Sequence, residues 1–376
     1  MFFLEIYIVK SGDNIDGIAG MYGVPVERLI YVNQLSYPYA LAVGQAILVP
    51  LREVTGGRGL FANGFAYTSI NPSILRETLP FLSELSVFSY GFTSEGELIP
   101  PPLPTNWMIE AAIEYGVKPI LTLTPLGPDG NFSNILIHNV LSNPNARNTL
   151  IENMYDRVQL ENYQGINIDF EYIMAEDRDR FTEFVRDTTL AMHGLGYEVT
   201  VDVAPKTSSD QTGLLYEGKD YAGLGQVADR VFVMTYEWGY TYGPAMAVAP
   251  INKVKAVLDY AVTEIPKEKI TMGIPNYGYD WMLPYVRGES KAITIGNIEA
   301  VQIAVNNGAQ IEYDEIAKTP YFHYVREGLT HEVWFEDARS ILEKYKLLKE
   351  YPLYGFGCWQ IMRLFRAMWI LAQEEL

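Results

Sequence analysis

The stretch Gln164-Gly165-Ile166-Asn167-Ile168-Asp169-Phe170-Glu171-Tyr172 decides how the rest of the chain is read. As a β-strand of period two it sends Asn167, Asp169 and Glu171 to one side and Ile166, Ile168 and Phe170 to the other. At about 3.3 Å of rise per residue the Cα atoms of Asp169 and Glu171 stand roughly 6.6 Å apart, so their carboxyl groups can share a hydrogen bond or a proton. A carboxyl held beside another carboxylate has its pKa raised, which suits it to be a general acid near neutral pH. The same alternation also describes an ordinary half-exposed strand with a polar outer face.

The neighbouring sequence favours the first reading. From about residue 60 onward short apolar strands alternate with amphipathic helices, the pattern of parallel α/β architecture. Strands are predicted at Gly64 to Ile70, Leu85 to Gly91, Pro119 to Leu123, Gly165 to Tyr172, Glu198 to Val203, Arg230 to Tyr236, Lys269 to Pro275 and Leu353 to Gln360. Between them the helix Asp177 to His193 places Phe181, Phe184, Val185, Thr188 and Met192 on one face. Eight such strands predict a closed (β/α)8 TIM barrel in the α/β class, whose active site belongs at the C-terminal strand ends. Asp169 and Glu171 lie at such an end. Residues 282–333, too long for one helix, read as a small α+β insertion forming one wall of a cleft. The loop from Gly127 to Asn134 is the other candidate for cleft lining.

Residues 1–52 form a separate small βααβ unit, joined through a linker at 53–59 to the barrel at 60–376. Tyr7 to Lys10 reads as a strand, and Asn14 to Met21 as a helix with Ile15, Ile18 and Ala19 inward. A second helix starts at Pro25, and Val43-Gly44-Gln45 turns into the strand Ala46 to Val49. Thr55-Gly56-Gly57 in the linker is expected to let the two parts move. The series Tyr7, Val9, Gly12, Asp13, Ile15, Ile18, Tyr22, Gly23, Leu29, Asn33, Leu41, Val43-Gly44-Gln45, Ile47 and Pro50 resembles a LysM domain along its full length. That resemblance implies binding of N-acetylglucosamine-containing glycans through two loops, with Gly12, Asp13, Asn14, Asn33 and Leu35 as candidate contacts. Ile15, Ile18 and Leu29 read as core.

Composition limits the partners. The chain has 376 residues, 48% of them hydrophobic, enough for a large domain and a small one. A net charge of −18 repels nucleic acid and anionic membrane surfaces, so neither is expected as a partner. Cys358 is the only cysteine, and His138, His193, His323 and His331 show no ligand spacing, so no disulfide, metal or cofactor is expected. No apolar run reaches the roughly 18 residues of a membrane span. No signal-peptide pattern follows Met1, so synthesis inside the cell without Sec-type export is expected.

The barrel sequence resembles the family-18 glycoside hydrolases. Their strand-four signature D-G-x-D-x-D-x-E falls on residues 164–171, with Gln164 and Asn167 in place of the first two aspartates. By this resemblance Glu171 is the catalytic acid/base and Asp169 the carboxylate beside it. Met234-Thr235-Tyr236-Glu237-Trp238 resembles the strand-six motif, with Glu for Asp, and Gly273 to Trp281 the strand-seven motif. Trp359 corresponds to the strand-eight tryptophan under the reacting sugar. The strand-three motif of many chitinases is replaced by Leu121-Thr122-Leu123-Thr124. The resemblance implies a retaining reaction in which the substrate's own acetamido group is the nucleophile, with Tyr236 steadying that group. Asn167, Met234, Glu237, Trp359 and Tyr67 are the implied substrate-binding residues.

Within the family, the LysM unit and stretches such as Val333-Trp334-Phe335-Glu336-Asp337 look most like bacterial spore cortex-lytic N-acetylglucosaminidases. The expected function is cleavage of peptidoglycan after N-acetylglucosamine, in spore cortex or its fragments, by a protein made in the mother cell and deposited around the spore. Chitin oligomers are the alternative substrate. A non-catalytic glycan-binding or spore-coat protein on the same fold is the alternative of another class. A monomer is compatible with the sequence, which leaves the oligomeric state open.

Overall fold

The structure, a computed structural model, describes residues 4–53, 58–127 and 130–376. Eight parallel strands run Phe61–Tyr67, Glu84–Phe92, Lys118–Leu123, Gly165–Ile168, Glu198–Val203, Arg230–Val233, Ile270–Pro275 and Gly355–Trp359. Each pairs with its sequence neighbour, and the first pairs with both the second and the eighth, so the sheet closes into a barrel. All eight strands lie where the apolar runs predicted them, with ends shifted by a few residues. The largest shift is in the fourth, which stops at Ile168 rather than Tyr172.

The helices cover the barrel through the faces their sequences dictate. Helix Arg178–His193 buries Phe181, Phe184, Val185, Thr188 and Met192. Phe170 stacks on Phe181 and Phe184 at centroid distances of 5.7 and 5.6 Å, so the apolar side of the Asp169–Glu171 stretch is held against that helix. The sequence reading allowed a solvated polar face here, but Asn167 and Asp169 are also buried, because the opposite side faces the barrel interior. At the N-terminal strand ends Arg230 donates to Glu84 at 2.6 Å and to Glu198 at 2.5 Å, with its guanidinium over the Phe61 ring. Outside the barrel buried Asp177 hydrogen-bonds the His138 ring and pairs with Arg180, linking two helices.

The insertion begins at Gly278, directly after the seventh strand, rather than near residue 282. Gly278–Met282 pairs with Ile293–Ile295 and with Leu329–Trp334, which continues through Thr319–Arg326 to Glu312–Asp314 in one antiparallel sheet. Helix Asn297–Asn307 packs on this sheet through Ala300 and Ala304 against Phe322, Val333 and Phe335.

The N-terminal unit pairs Leu4–Ile8 antiparallel with Ala46–Pro50 and packs helices Ile15–Tyr22 and Val26–Val32 beside them. It sits against the barrel across a continuous seam. Val32 and Leu48 belong to the main core, and Ala42 to the core of the insertion. Ile311 N donates to Val43 O at 2.8 Å, and Gln34 exchanges bonds with Leu364 O and Arg366 N. Gly44, at φ 84°, lies where a Cβ would overlap the Ile311 carbonyl, so the Val43-Gly44-Gln45 turn depends on glycine for its docking. Residues Thr55-Gly56-Gly57 of the expected linker lie outside the described residues.

Candidate active site

The fourth strand sets the site. Leu121, Thr122 and Leu123 pair with Ile166, Asn167 and Ile168, while Asn167 and Ile168 also pair with Thr200 and Val201 on the fifth strand. Past Ile168 one further bond, from Asp169 N to Leu123 O at 2.9 Å, carries the chain to the barrel's mouth. Asp169 and Glu171 therefore emerge at the C-terminal end, into a cleft of about 440 Å³. That is a volume suited to a small polar ligand.

An aromatic floor underlies the cleft. The Trp359 ring contacts Phe88, Phe65 and Tyr67 at centroid distances of 4.9, 5.8 and 5.8 Å. Met234 and Tyr236 line the wall beyond the sixth strand, and Tyr277 and Tyr279 the wall toward the insertion. Glu237 accepts hydrogen bonds from the hydroxyls of Tyr277 and Tyr279, the latter at 2.9 Å. Its φ of 68° puts a non-glycine residue in the left-handed region, at a cost of about 1–2 kcal/mol, which its two tyrosine bonds help to hold. Of the loop read as cleft lining, Phe132 reaches the cleft, while residues 128–129 lie outside the described residues and Asn134 already begins a helix.

The carboxyl groups are perturbed together. Burial pushes Asp169 well above the ordinary carboxylate range, Glu171 and Asp202 push it further, and Lys219 opposes them. Glu171 is also raised, by burial against the pull of Lys219, with Glu237 adding to the rise. Burial raises Asp202 to about 8 and lowers Lys219 to about 8. The Tyr236 phenol is raised by burial and then by Asp202, Asp169 and Glu171, so it stays protonated. Asp169 Oδ1 is buried and has no hydrogen-bond partner among the described residues. Such an arrangement favours holding a proton on the carboxyl pair and leaves one buried oxygen to accept a bond from a ligand.

Of the residues singled out from sequence, Asp169, Glu171, Tyr236, Met234, Glu237, Trp359 and Tyr67 meet in this cleft. Asn167 does not. It lies beneath the floor, fully buried, and donates through Nδ2 to Asp202 Oδ1 at 2.6 Å, because a residue two positions before Asp169 points one layer deeper into the barrel. Asp202, Phe88 and Gln360 line the cleft without having been singled out, as do Tyr277 and Tyr279, named only within the strand-seven motif. Asp202 carried a signal, being an acid within the apolar run Glu198 to Val203. Lys219, in an irregular loop, carried none.

The N-terminal candidates divide differently. Gly12, at φ 89°, forms the turn before Asp13, which accepts from Tyr7 Oη and Lys10 N at 2.7 Å each. Asn14 caps the first helix through Gly17 N. Asn33 is buried, its amide bonded to Leu29 O, Leu48 O and Leu48 N, and is therefore turned away from any glycan. Leu35 packs in the unit's own core and borders the seam with the insertion.

Comparisons with known proteins agree with this architecture. Residues 126–363 match the family Glycosyl hydrolases family 18, and residues 7–50 match the LysM domain. The chain is 35% identical to a cortical fragment-lytic enzyme of Bacillus subtilis, over 99% of this chain and 98% of that one. The spore cortex-lytic enzyme SleL of Bacillus megaterium superposes with a TM-score of 0.92 at 31% identity, over 100% of this chain and 98% of the other. A chitinase of Chromobacterium violaceum superposes with a TM-score of 0.78 at 26% identity, over 84% and 98%. The chain belongs to glycosyl hydrolase family 18, as a glycosidase barrel preceded by a LysM domain.

Proposed function

We propose that this glycosidase cleaves β-1,4 bonds after N-acetylglucosamine in peptidoglycan, with spore cortex or cortex fragments as substrate. The observation that carries the reaction is the buried Asp169 Oδ1, without a hydrogen-bond partner among the described residues, beside Glu171 and above the Trp359 floor. The printed names of the relatives, a cortical fragment-lytic and a spore cortex-lytic enzyme, support the choice of polymer and a spore-associated place of action.

In this reading the sugar stacks on Trp359. Asp169 accepts a hydrogen bond from its acetamido N–H, turning the carbonyl oxygen toward the anomeric carbon. That oxygen forms a bond to the anomeric carbon as the glycosidic C–O bond breaks, and Glu171 gives its proton to the leaving oxygen. The oxazolinium ion is stabilised by Asp169 and by the Tyr236 hydroxyl on the acetamido group. Glu171, now a carboxylate, takes a proton from water as the water opens the ring, and the product retains its configuration. Since burial holds Glu171 above its usual range, the acid is protonated toward neutral pH, and kcat/KM falls on the alkaline side as that proton is lost.

The nucleophile resides in the substrate, so a glycan whose N-acetylglucosamine has been de-N-acetylated should not be cut. Turnover of matched acetylated and deacetylated cortex fragments tests this, and equal rates would refute the mechanism. Chitin oligomers offer the same sugar, and a higher kcat/KM on them than on cortex fragments would move the substrate to chitin.

A further inference from the structure

At the deep side of the cleft, the fifth strand and the loop after it place two buried titratable side chains that the reaction above does not use, Asp202 in the cleft lining and Lys219 outside it. Asp202 is 2% exposed and accepts the Asn167 amide. Lys219 is fully buried, donates to the backbone carbonyl of Asp202 at 2.7 Å and holds its ammonium 5.0 Å from the Phe181 ring centroid. Its backbone is fixed from behind, since Lys206 Nζ donates to Lys219 O at 3.1 Å. Gly218 lies so close to Ile173 that a Cβ would stand 2.5 Å from the Ile173 carbonyl oxygen. Any larger residue there would push Lys219 away from the segment that carries Glu171.

Burying an ammonium is costly unless negative charge faces it. Asp202, whose backbone carbonyl Lys219 holds, lines the same cleft as Asp169 and Glu171, so the ammonium acts on all three carboxyls, and the described residues lining the cleft include no lysine or arginine. From the other strands the site is faced by Tyr67, Tyr236 and Glu237. Burial keeps both phenols protonated, and Glu237 is engaged by Tyr277 and Tyr279. Lys219 is thus, among the described residues, the one cation acting on this cluster of acids.

We propose that Lys219 and Asp202 are positioning residues for the Asp169–Glu171 pair: the ammonium holds one negative charge on the pair while the other carboxyl keeps its proton, and Asp202 supplies from the fifth strand the deep carboxyl that Asn167 leaves off the fourth. This rests on the reading of Asp169 and Glu171 as the reacting pair. A nearby cation favours carboxylate forms, so removing it raises both proton-release steps of the pair, and the singly protonated state moves to higher pH.

The test combines a readout that needs no turnover with one that does. In protein carrying 13C-labelled aspartate and glutamate, Lys219→Met should raise the NMR titration steps of Asp169 and Glu171 by about one pH unit or more. The pH profile of kcat/KM should follow in the same direction. Lys219→Gln is the second neutral variant should Lys219→Met not fold, and Lys219→Arg should return the steps to their wild-type positions. Asp202→Asn should lower kcat by about tenfold or more with KM little changed, and the transposed variant Asn167→Asp/Asp202→Asn should recover most of that loss. Carboxyl steps unmoved in the neutral lysine variants, or no recovery on transposition, would overturn the proposal. If the wild type cuts no glycan while the steps still move, the reaction reading falls and the charge pairing stands. Wild-type turnover with unmoved steps has the opposite meaning.

Discussion

Asp169 and Glu171 sit two residues apart yet meet different surroundings: Asp169 is 5% exposed, with an oxygen lacking any partner among the described residues, while Glu171 is only part-buried and opens to the cleft. A buried acceptor suits orientation of an acetamido group, and an accessible acid suits proton exchange with leaving group and water. In the proposed mechanism, replacing Asp169 with Asn removes the charge that stabilises the oxazolinium ion, so kcat should fall by about 10²–10³-fold while glycan affinity stays within a few-fold, as single-turnover kinetics and binding titration would register. Tyr236→Phe removes only a hydroxyl and should lower kcat with KM nearly unchanged, measurable on the same oligosaccharides. Asp169 and Glu171 were legible as candidates because their spacing and their place at a strand end are written locally in the chain, while Tyr236 was legible only through the resemblance of its strand-six motif. Asp202 left a local trace, an acid within an apolar strand run, but its relation to Asp169 is made across strands, and Lys219 left none, because it reaches the site from an irregular loop where sequence separation carries no period.

At the level of elements, the eight strands were legible as apolar runs, and only their ends moved. The fourth strand ends at Ile168 because the chain turns out of pairing there, which period-two alternation through Tyr172 does not reveal. The insertion starts at Gly278 since Gly278–Met282 finds its partners in the later segments Ile293–Ile295 and Leu329–Trp334, pairings that no local pattern announces. Arg230 ties the start of the sixth strand to those of the second and fifth, with Arg230 and Glu84 side chains each 4% exposed. Arg230→Met would leave buried Glu84 without its counter-charge and should cost about 3–5 kcal/mol, read as a lower urea midpoint. An unchanged midpoint would mean that the N-terminal end of the barrel does not depend on this pair.

For the whole molecule, the N-terminal unit is docked against the barrel and its insertion. The sequence identified both parts but suggested freedom between them. The seam is built from residues such as Val32 and Leu48, which join the main core, and Gln34, whose partners Leu364 and Arg366 lie more than 300 positions away. Arg366 donates to Tyr31 O at 3.2 Å, stacks over the Tyr31 ring at 4.2 Å and pairs with Glu77 at 2.7 Å. Arg366→Ala should therefore raise hydrogen exchange in helix Val26–Val32 by about tenfold while leaving turnover of short oligosaccharides unchanged. The central claim, that Glu171 is the acid of an N-acetylglucosaminidase acting on peptidoglycan, is tested most directly by muropeptide analysis of cortex peptidoglycan, intact and pre-fragmented, after incubation with wild-type protein or Glu171→Gln. The account predicts products with N-acetylglucosamine at the new reducing end from the wild type, and a rate lower by about 10²–10⁴-fold from the variant. Binding of the glycan by both proteins with release of products by neither would contradict it.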